Sequence, residues 1–257
     1  MTQEEMRCLI PAKLRELEEK YQITVLFAAE SGSRAWGTAS PDSDFDVRFI
    51  YKRSYKEYLR LEKTRDVIEI PIDSTWDVSG WDLSKALRLL YNSNPGLYDW
   101  IGSPVCYLDV NFKEKIMPLM RSYFSKERMM HHYYEIASRH IKELSSEDYV
   151  SPKKYFYALR SILACDWIDR ENCAPPVTFS ELSAKVLPST KKTSVEYILD
   201  AKRNMPEKAK IKHIGDIDVF LVGELETIRD HVECLSKEKN KDWNELDSFF
   251  IRELSCE

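Results

Sequence analysis

The chain has 257 residues, 43% of them apolar and 32% charged, which suits a globular protein and excludes low-complexity and fibrous classes. Its net charge of −5 offers no general attraction for nucleic acid, so any polyanion has to be met by a local positive patch or by metal ions. No apolar run approaches the ~20 residues that cross a bilayer, and the start MTQEEMRCLI does not read as a signal peptide. The six cysteines lack paired short spacings and suit reduced thiols. A cytoplasmic protein with no membrane role is therefore expected.

Met6, Ile10, Leu14 and Leu17 recur at helical spacing and predict a core-covering helix over 3–21. ITVLFAA (23–29) reads as a buried strand, followed by a tight turn and short helix through Thr38. Pro41 and Asp42 mark a loop. In DFDVRFIY (44–51), Phe45, Val47, Phe49 and Tyr51 share one strand face, and Asp44, Asp46 and Arg48 share the other. A short helix (54–61), a strand (66–70), a turn at Pro71 and a strand over 74–78 follow. WDLSKALRLLYNSNP then predicts a helix with Leu83, Ala86, Leu87 and Leu90 inward, stopped at Asn94-Pro95. Beyond about residue 110 the pattern turns helical, with apolar faces over 125–145, 151–171, 193–205 and 217–238. The expected fold class is α+β: a small mixed-sheet domain over 1–115, then an all-helical domain over 116–257 that closes the cleft.

Two neighbouring carboxylates, Asp44 and Asp46, at the mouth of a buried strand repel each other unless a cation lies between them. Mg²⁺ takes oxygen ligands and often shares one or two carboxylates with substrate phosphates. A D-x-D alone is usually only a solvated strand start. Here it follows Gly32-Ser33, a turn whose backbone N–H groups and hydroxyl suit an anion, with Arg34 as a phosphate fork. Asp77, flanked by Trp76 and Val78, is the third acid expected beside the metal; Asp73 is its rival. Asp82 reads as a first-turn helix charge. Removing Asp44 or Asp46 is expected to leave stability equal or higher, because repulsion is relieved.

The pattern G-S-x10-S-D-x-D followed by an apolar-Asp-apolar strand resembles the polymerase-β-type nucleotidyltransferase superfamily. GSRAWGTASPDSDFDVRFIY, SGWDLSKALRLL, SNPGLYDWIGSPVCY and KKYFYALRSILACDWI are closest to the predicted nucleotidyltransferases associated with RNA ligases. The resemblance implies a polymerase-β-like palm in which Asp44, Asp46 and Asp77 bind two Mg²⁺ ions, or Mn²⁺, and serve catalysis. It implies Gly32, Ser33, Arg34 and Ser43 at the phosphates of a nucleoside triphosphate, with ATP favoured. An NMP would pass to a hydroxyl, first an RNA end in repair or processing. Protein AMPylation, for instance of a toxin partner, and a non-catalytic nucleotide-binding module are the alternatives.

In the helical half, Lys153, Tyr157 and Arg160 follow i, i+4, i+7 and form a cationic and aromatic stripe expected to line the nucleotide. Lys153 alone reads better as surface. Trp36 is open to base stacking, although packing is the default for it and for Trp76, Trp81 and Trp100. His131 and Glu135 share a helix face but lack a third ligand, so a metal role is not expected. KAKIKH (208–213) reads as a solvated loop.

Overall fold

A computed structural model describes residues 2–70, 76–206, 208–238 and 240–255. In chain order its elements are α1 (Gln3–Tyr21), β1 (Ile23–Glu30), α2 (Gly32–Ala35), β2 (Phe45–Arg53), α3 (Tyr55–Tyr58), β3 (Val67–Glu69) and β4 (Trp76–Asp82). There follow α4 (Leu83–Tyr91), α5 (Pro95–Gly102), β5 (Cys106–Asp109), α6 (Phe112–Ser122), α7 (Lys126–Leu144), β6 (Tyr149–Val150) and α8 (Pro152–Glu171). The remainder are α9 (Phe179–Val186), α10 (Lys192–Asn204), β7 (Ile211–Lys212), α11 (Gly215–Cys234) and α12 (Asn244–Ser255).

Two compact units result: Met1–Ser31 with Asp44–Tyr123 and Asn240–Glu257, and Gly32–Ser43 with Phe124–Lys239. A cut between 115 and 116 was expected, and the units differ from it in three places. Residues 116–123 go with the sheet, because Phe112, Ile116 and Met120 of α6 are buried there. The C-terminal helix also goes with the sheet: Phe249 meets Phe112 at 6.0 Å, and Lys52 Nζ donates to Glu253 O at 2.7 Å. The loop 32–43 goes with the helices through bonds described below.

The first unit is built on a mixed sheet ordered β3-β4-β2-β1-β5, in which β2 and β4 are parallel and the other pairs antiparallel. Strand β1 is buried along nearly its whole length, which explains its unbroken apolar run. Met6, Ile10, Leu14 and Leu17 of α1 pack with Phe45, Val47, Phe49 and Tyr51 of β2 in one core cluster. That assignment of faces leaves Asp46 and Arg48 on the other face of β2. Gly80 stands opposite Phe49 in register, and a Cβ added there would meet the Phe49 ring at 2.2 Å. Only glycine lets the two strands keep that ring between them.

Several boundaries differ from expectation. Strand β4 runs on to Asp82, and α4 begins only at Leu83, because Asp82 caps the helix by accepting from Ser84 N at 2.8 Å. Asn94 caps α5, with Pro95 in its first turn, so the expected helix stop is also a new start. Helix α3 is a single turn rather than a helix to residue 61. Asp44 precedes β2, so strict strand alternation does not govern it. Pro71, Asp73 and the first residues of the expected strand 74–78 lie outside the described residues.

The second unit is mainly helical, with α7 packed on α8 and α9, α10 and α11 packed about them. The expected helices are present at nearly their expected bounds. It is not wholly helical: Tyr149–Val150 pairs antiparallel with Ile211–Lys212. The KAKIKH run therefore enters a short ladder, and His213 beyond it bonds to Glu147 O and Asp218.

Candidate functional site

The parallel pairing of β2 and β4 sets Asp46 and Asp77 directly opposite each other. Between them lies Arg48. Its Nη2 donates to Asp46 Oδ1 at 2.8 Å and to Asp77 Oδ2 at 2.6 Å. Its Nη1 donates to the backbone oxygens of Asp77 at 2.9 Å and Val47 at 3.3 Å. The three side chains are 16%, 30% and 36% exposed for Arg48, Asp46 and Asp77, so water reaches the group. Two acids on one edge thus already share a cation, and that cation is the chain's own guanidinium.

The backbone of Asp46 is held from the core side. Its N–H donates to Glu30 Oε1 at 2.7 Å, and its carbonyl accepts from Ser31 N at 2.8 Å. Glu30 is fully buried and also accepts from the Tyr107 hydroxyl, which in turn accepts from Gln3 Nε2 at 2.8 Å. A buried carboxylate needs such donors. Their effect is to fix the backbone of Asp46 near the start of β2. Asp44 stands exposed before that point. Among the described residues no group of three His, Cys, Asp or Glu side chains could hold a metal ion. Asp73 lies outside them.

In the second unit, Gly32 has φ 60° and Gly37 φ 76°, both in the left-handed region that favours glycine. Between them a single helical turn closes through Trp36 N to Gly32 O at 3.0 Å and Thr38 N to Ser33 O at 2.9 Å. Arg34 Nη2 donates to Ser43 O at 2.7 Å, tying the turn to the far end of its loop. The Ser43 hydroxyl is buried, accepts from Ser40 N at 2.9 Å and shares a 2.7 Å bond with the Ser40 hydroxyl. Arg34 and Ser43, both expected at phosphates, are thus engaged in shaping the loop. Gly32 and Ser33 form the turn itself.

The loop is anchored on the helices. Phe179 N donates to Trp36 O at 3.0 Å, and Arg203 Nη2 to Gly37 O at 3.4 Å. Around Trp36 the expected stripe of α8 assembles. Tyr157 meets its ring edge-on at 5.3 Å, and the Arg160 guanidinium lies 4.4 Å over it. His140 stacks at a tilt on Tyr157 at 5.2 Å. A cavity of about 370 Å³ opens beside this group, lined among others by Trp36, Gly37, Thr38, Phe179, Lys192 and Arg203. In the first unit Trp81 and Trp100 stack at 3.6 Å, a packing role.

Sequence reasoning passed over Arg48 and Glu30. Arg48 was visible as the residue sharing parity with Asp46, but only pairing with β4 shows which second acid it meets. Glu30 follows the apolar run ITVLFAA, where the sequence reads as the start of a tight turn. No sequence signal marks it as buried.

A mixed sheet carries two in-register acids, and a glycine-serine turn follows β1 in sequence. Residues 6–252 match the family described as RlaP, RNA repair pathway DNA polymerase beta family, and the chain belongs to that family. Membership supports nucleotidyl transfer as the general chemistry. The chain is 38% identical over 248 residues to the uncharacterized protein YcgL of Bacillus subtilis (strain 168), covering 96% of this chain and 95% of that one. A solved nucleotidyltransferase-like protein from Exiguobacterium sibiricum is 13% identical, over 85% of this chain and 73% of that one. Its TM-score of 0.34 is too low to bear on fold or function. Among the described residues no helix is long and apolar enough to cross a membrane.

Proposed function

We propose that the protein transfers an NMP from a nucleoside triphosphate, with ATP favoured, to a hydroxyl, and that an RNA end is the first acceptor to test. The observation that carries this reading is the register of Asp46 with Asp77 on adjacent parallel strands. These are hard oxygen donors, open to water and close enough to share one cationic group, and they fit a hard divalent cation. Asp44, at the strand mouth, is the further carboxylate in this reading. Bound Mg²⁺ or Mn²⁺ supplies charge neutralisation on the triphosphate and acidifies the attacking hydroxyl.

The chain's own groups do the rest. Asp77 takes the proton of the attacking hydroxyl. The hydroxyl oxygen then bonds to the α-phosphorus as the bond to the β-phosphate oxygen breaks, and pyrophosphate leaves. Ser33 and the backbone N–H groups of its turn bind phosphate oxygens, since the first N–H groups of a helical turn lack intrahelical acceptors. Arg34 and Ser43 hold that loop in shape. Trp36 and Tyr157, with Arg160 buried against the Trp36 ring, form the aromatic cluster assigned to the base in this reading, with Lys153 further along the same helix. The RNA repair pathway in the family's description supports RNA as acceptor.

One observation favours a second reading. Arg48 already neutralises part of the acid pair, as a nucleotide-binding module without turnover would require. Incubation with α-labelled NTPs, Mg²⁺ and either RNA or cell lysate separates the readings. Label on RNA supports end modification, and label on a polypeptide supports protein nucleotidylation. No label with any acceptor, despite measurable nucleotide binding, supports the module.

A further inference from the structure

Arg48 lies between Asp46 and Asp77, the place that a divalent ion bridging the two would take. One nitrogen contacts an oxygen of each carboxylate at 2.8 and 2.6 Å. Mg²⁺ binds oxygens at roughly 2.0–2.1 Å and demands a regular shell of them. An ion bridging these same two oxygens therefore excludes the guanidinium from between them. Among the described residues the guanidinium is held by hydrogen bonds alone, four in number. It is partly exposed, and its other contacts, at 2.9 and 3.3 Å, go to the backbone oxygens of Asp77 and Val47.

Resting on the metal reading above, we propose that Arg48 and the divalent ion are alternative partners of the Asp46–Asp77 pair. Without metal, Arg48 holds the two carboxylates together across β2 and β4 and cancels part of their repulsion. When the ion binds, Arg48 swings out and its charge becomes available to an anion. A triphosphate provides that anion, so metal and nucleotide bind with positive coupling, each favouring the state the other needs. The free ion alone competes against Arg48 and binds weakly. The device keeps the acid pair preformed while reserving it for metal that arrives with nucleotide.

The test measures Mn²⁺ binding by electron paramagnetic resonance, with and without α,β-methylene ATP, together with thermal melting of the metal-free protein. Arg48→Met is expected to bind free Mn²⁺ about tenfold more tightly than the wild type, the loss of a charge-assisted competitor. It is also expected to melt at a lower temperature without metal, and to show less tightening by the nucleotide analogue. Asp46→Asn locates the ion by abolishing its binding. If wild type binds Mn²⁺ at this site and Arg48→Met binds it equally or more weakly, the exchange is wrong and the metal reading stands. If neither protein binds Mn²⁺, with or without the analogue, both fail. Arg48→Lys, whose single amine can hold only one carboxylate well, gives an intermediate tightening and serves if the methionine variant does not fold.

Discussion

The two ends of the paired strands β2 and β4 carry the same chemical parts and use them in opposite ways. At one end Arg48 joins Asp46 and Asp77 in reach of water. At the other, Arg53 lies 3.9 Å from Asp82, whose side chain is only 4% exposed. The oxygens of Asp82 are taken: by Ser84 N at 2.8 Å, the Ser84 hydroxyl at 2.6 Å and the Tyr58 hydroxyl at 3.0 Å. Burial, and then the nearby Asp82 charge, push the Tyr58 hydroxyl well above its usual range. Burial likewise lifts Tyr51 to about 12. An acid whose oxygens are all satisfied by the fold has nothing left for a ligand. Asp46 and Asp77 instead share one partly exposed guanidinium in reach of water. Acid content does not separate the two ends; the inventory of partners does.

The sharpest way to break that comparison is to exchange the losses. Asp46→Asn is expected to lower nucleotidyl transfer on the order of a thousandfold, while the Glu30 bond to the backbone N–H of residue 46 remains. Near-normal turnover in that variant would remove Asp46 from the metal site. Stability is not expected to rise, because Asp46 is bridged by Arg48 and relief of repulsion is no longer what its loss brings. Asp82→Ala is expected to do the reverse. It should destabilise by about 3 kcal/mol in urea, leaving Tyr58 and the α4 N-terminus without their acceptor. Intact stability with lost turnover would invert the assignment of the two ends.

Midway between those ends, Gly80→Ala forces a methyl group into the buried Phe49 ring. A loss of about 1–3 kcal/mol is expected from overpacking, and a neutral melt would mean that the strands can part cheaply. For the second unit, Ser33→Ala is expected to weaken nucleotide binding about tenfold with an unchanged melting temperature; calorimetric titration with the α,β-methylene analogue decides it. Asp73→Ala beside Asp77→Ala tells which acid is the further ligand, the true one being that whose loss removes turnover.

The smallest effect is a pH dependence far from the acids. His213 has one ring nitrogen 2.7 Å from Glu147 O and the other 3.0 Å from Asp218 Oδ2, an arrangement that favours two N–H donors. The backbone acceptor first, and Asp218 after it, raise the His213 pKa above its usual 6.5. Its stabilising effect is therefore complete below the unfolded pKa and lost as pH rises through the folded one. Melting temperatures should fall slightly more between pH 6 and 8 in wild type than in His213→Gln. Equal slopes would mean that the histidine carries no proton of consequence.

Much of this was legible locally. The period of Met6, Ile10, Leu14 and Leu17 marked α1, because one helix face must meet the core. Alternation in β2 separated Phe45, Val47, Phe49 and Tyr51 from Asp46 and Arg48, because pleating turns alternate side chains to opposite faces. The helical spacing of Tyr157 and Arg160 put them on one side of α8, and both meet Trp36. Helices α9 and α12 were passed over, although each buries an apolar set: Phe179, Leu182 and Val186 in one, Leu246, Phe249 and Leu254 in the other.

By itself, then, the sequence determined the parts of the candidate site: the turn at Gly32-Ser33, the acids, and which neighbours share a face. Each of these follows from bonds and periods within a few residues. Tertiary structure alone decided who meets whom. Parallel pairing chose Asp77 as the partner of Asp46, burial made Glu30 the support behind it, and the adjacency of β2 and β4 set Arg48 between the acids. Those pairings join residues up to 31 apart, and their register depends on how whole strands bury their apolar faces.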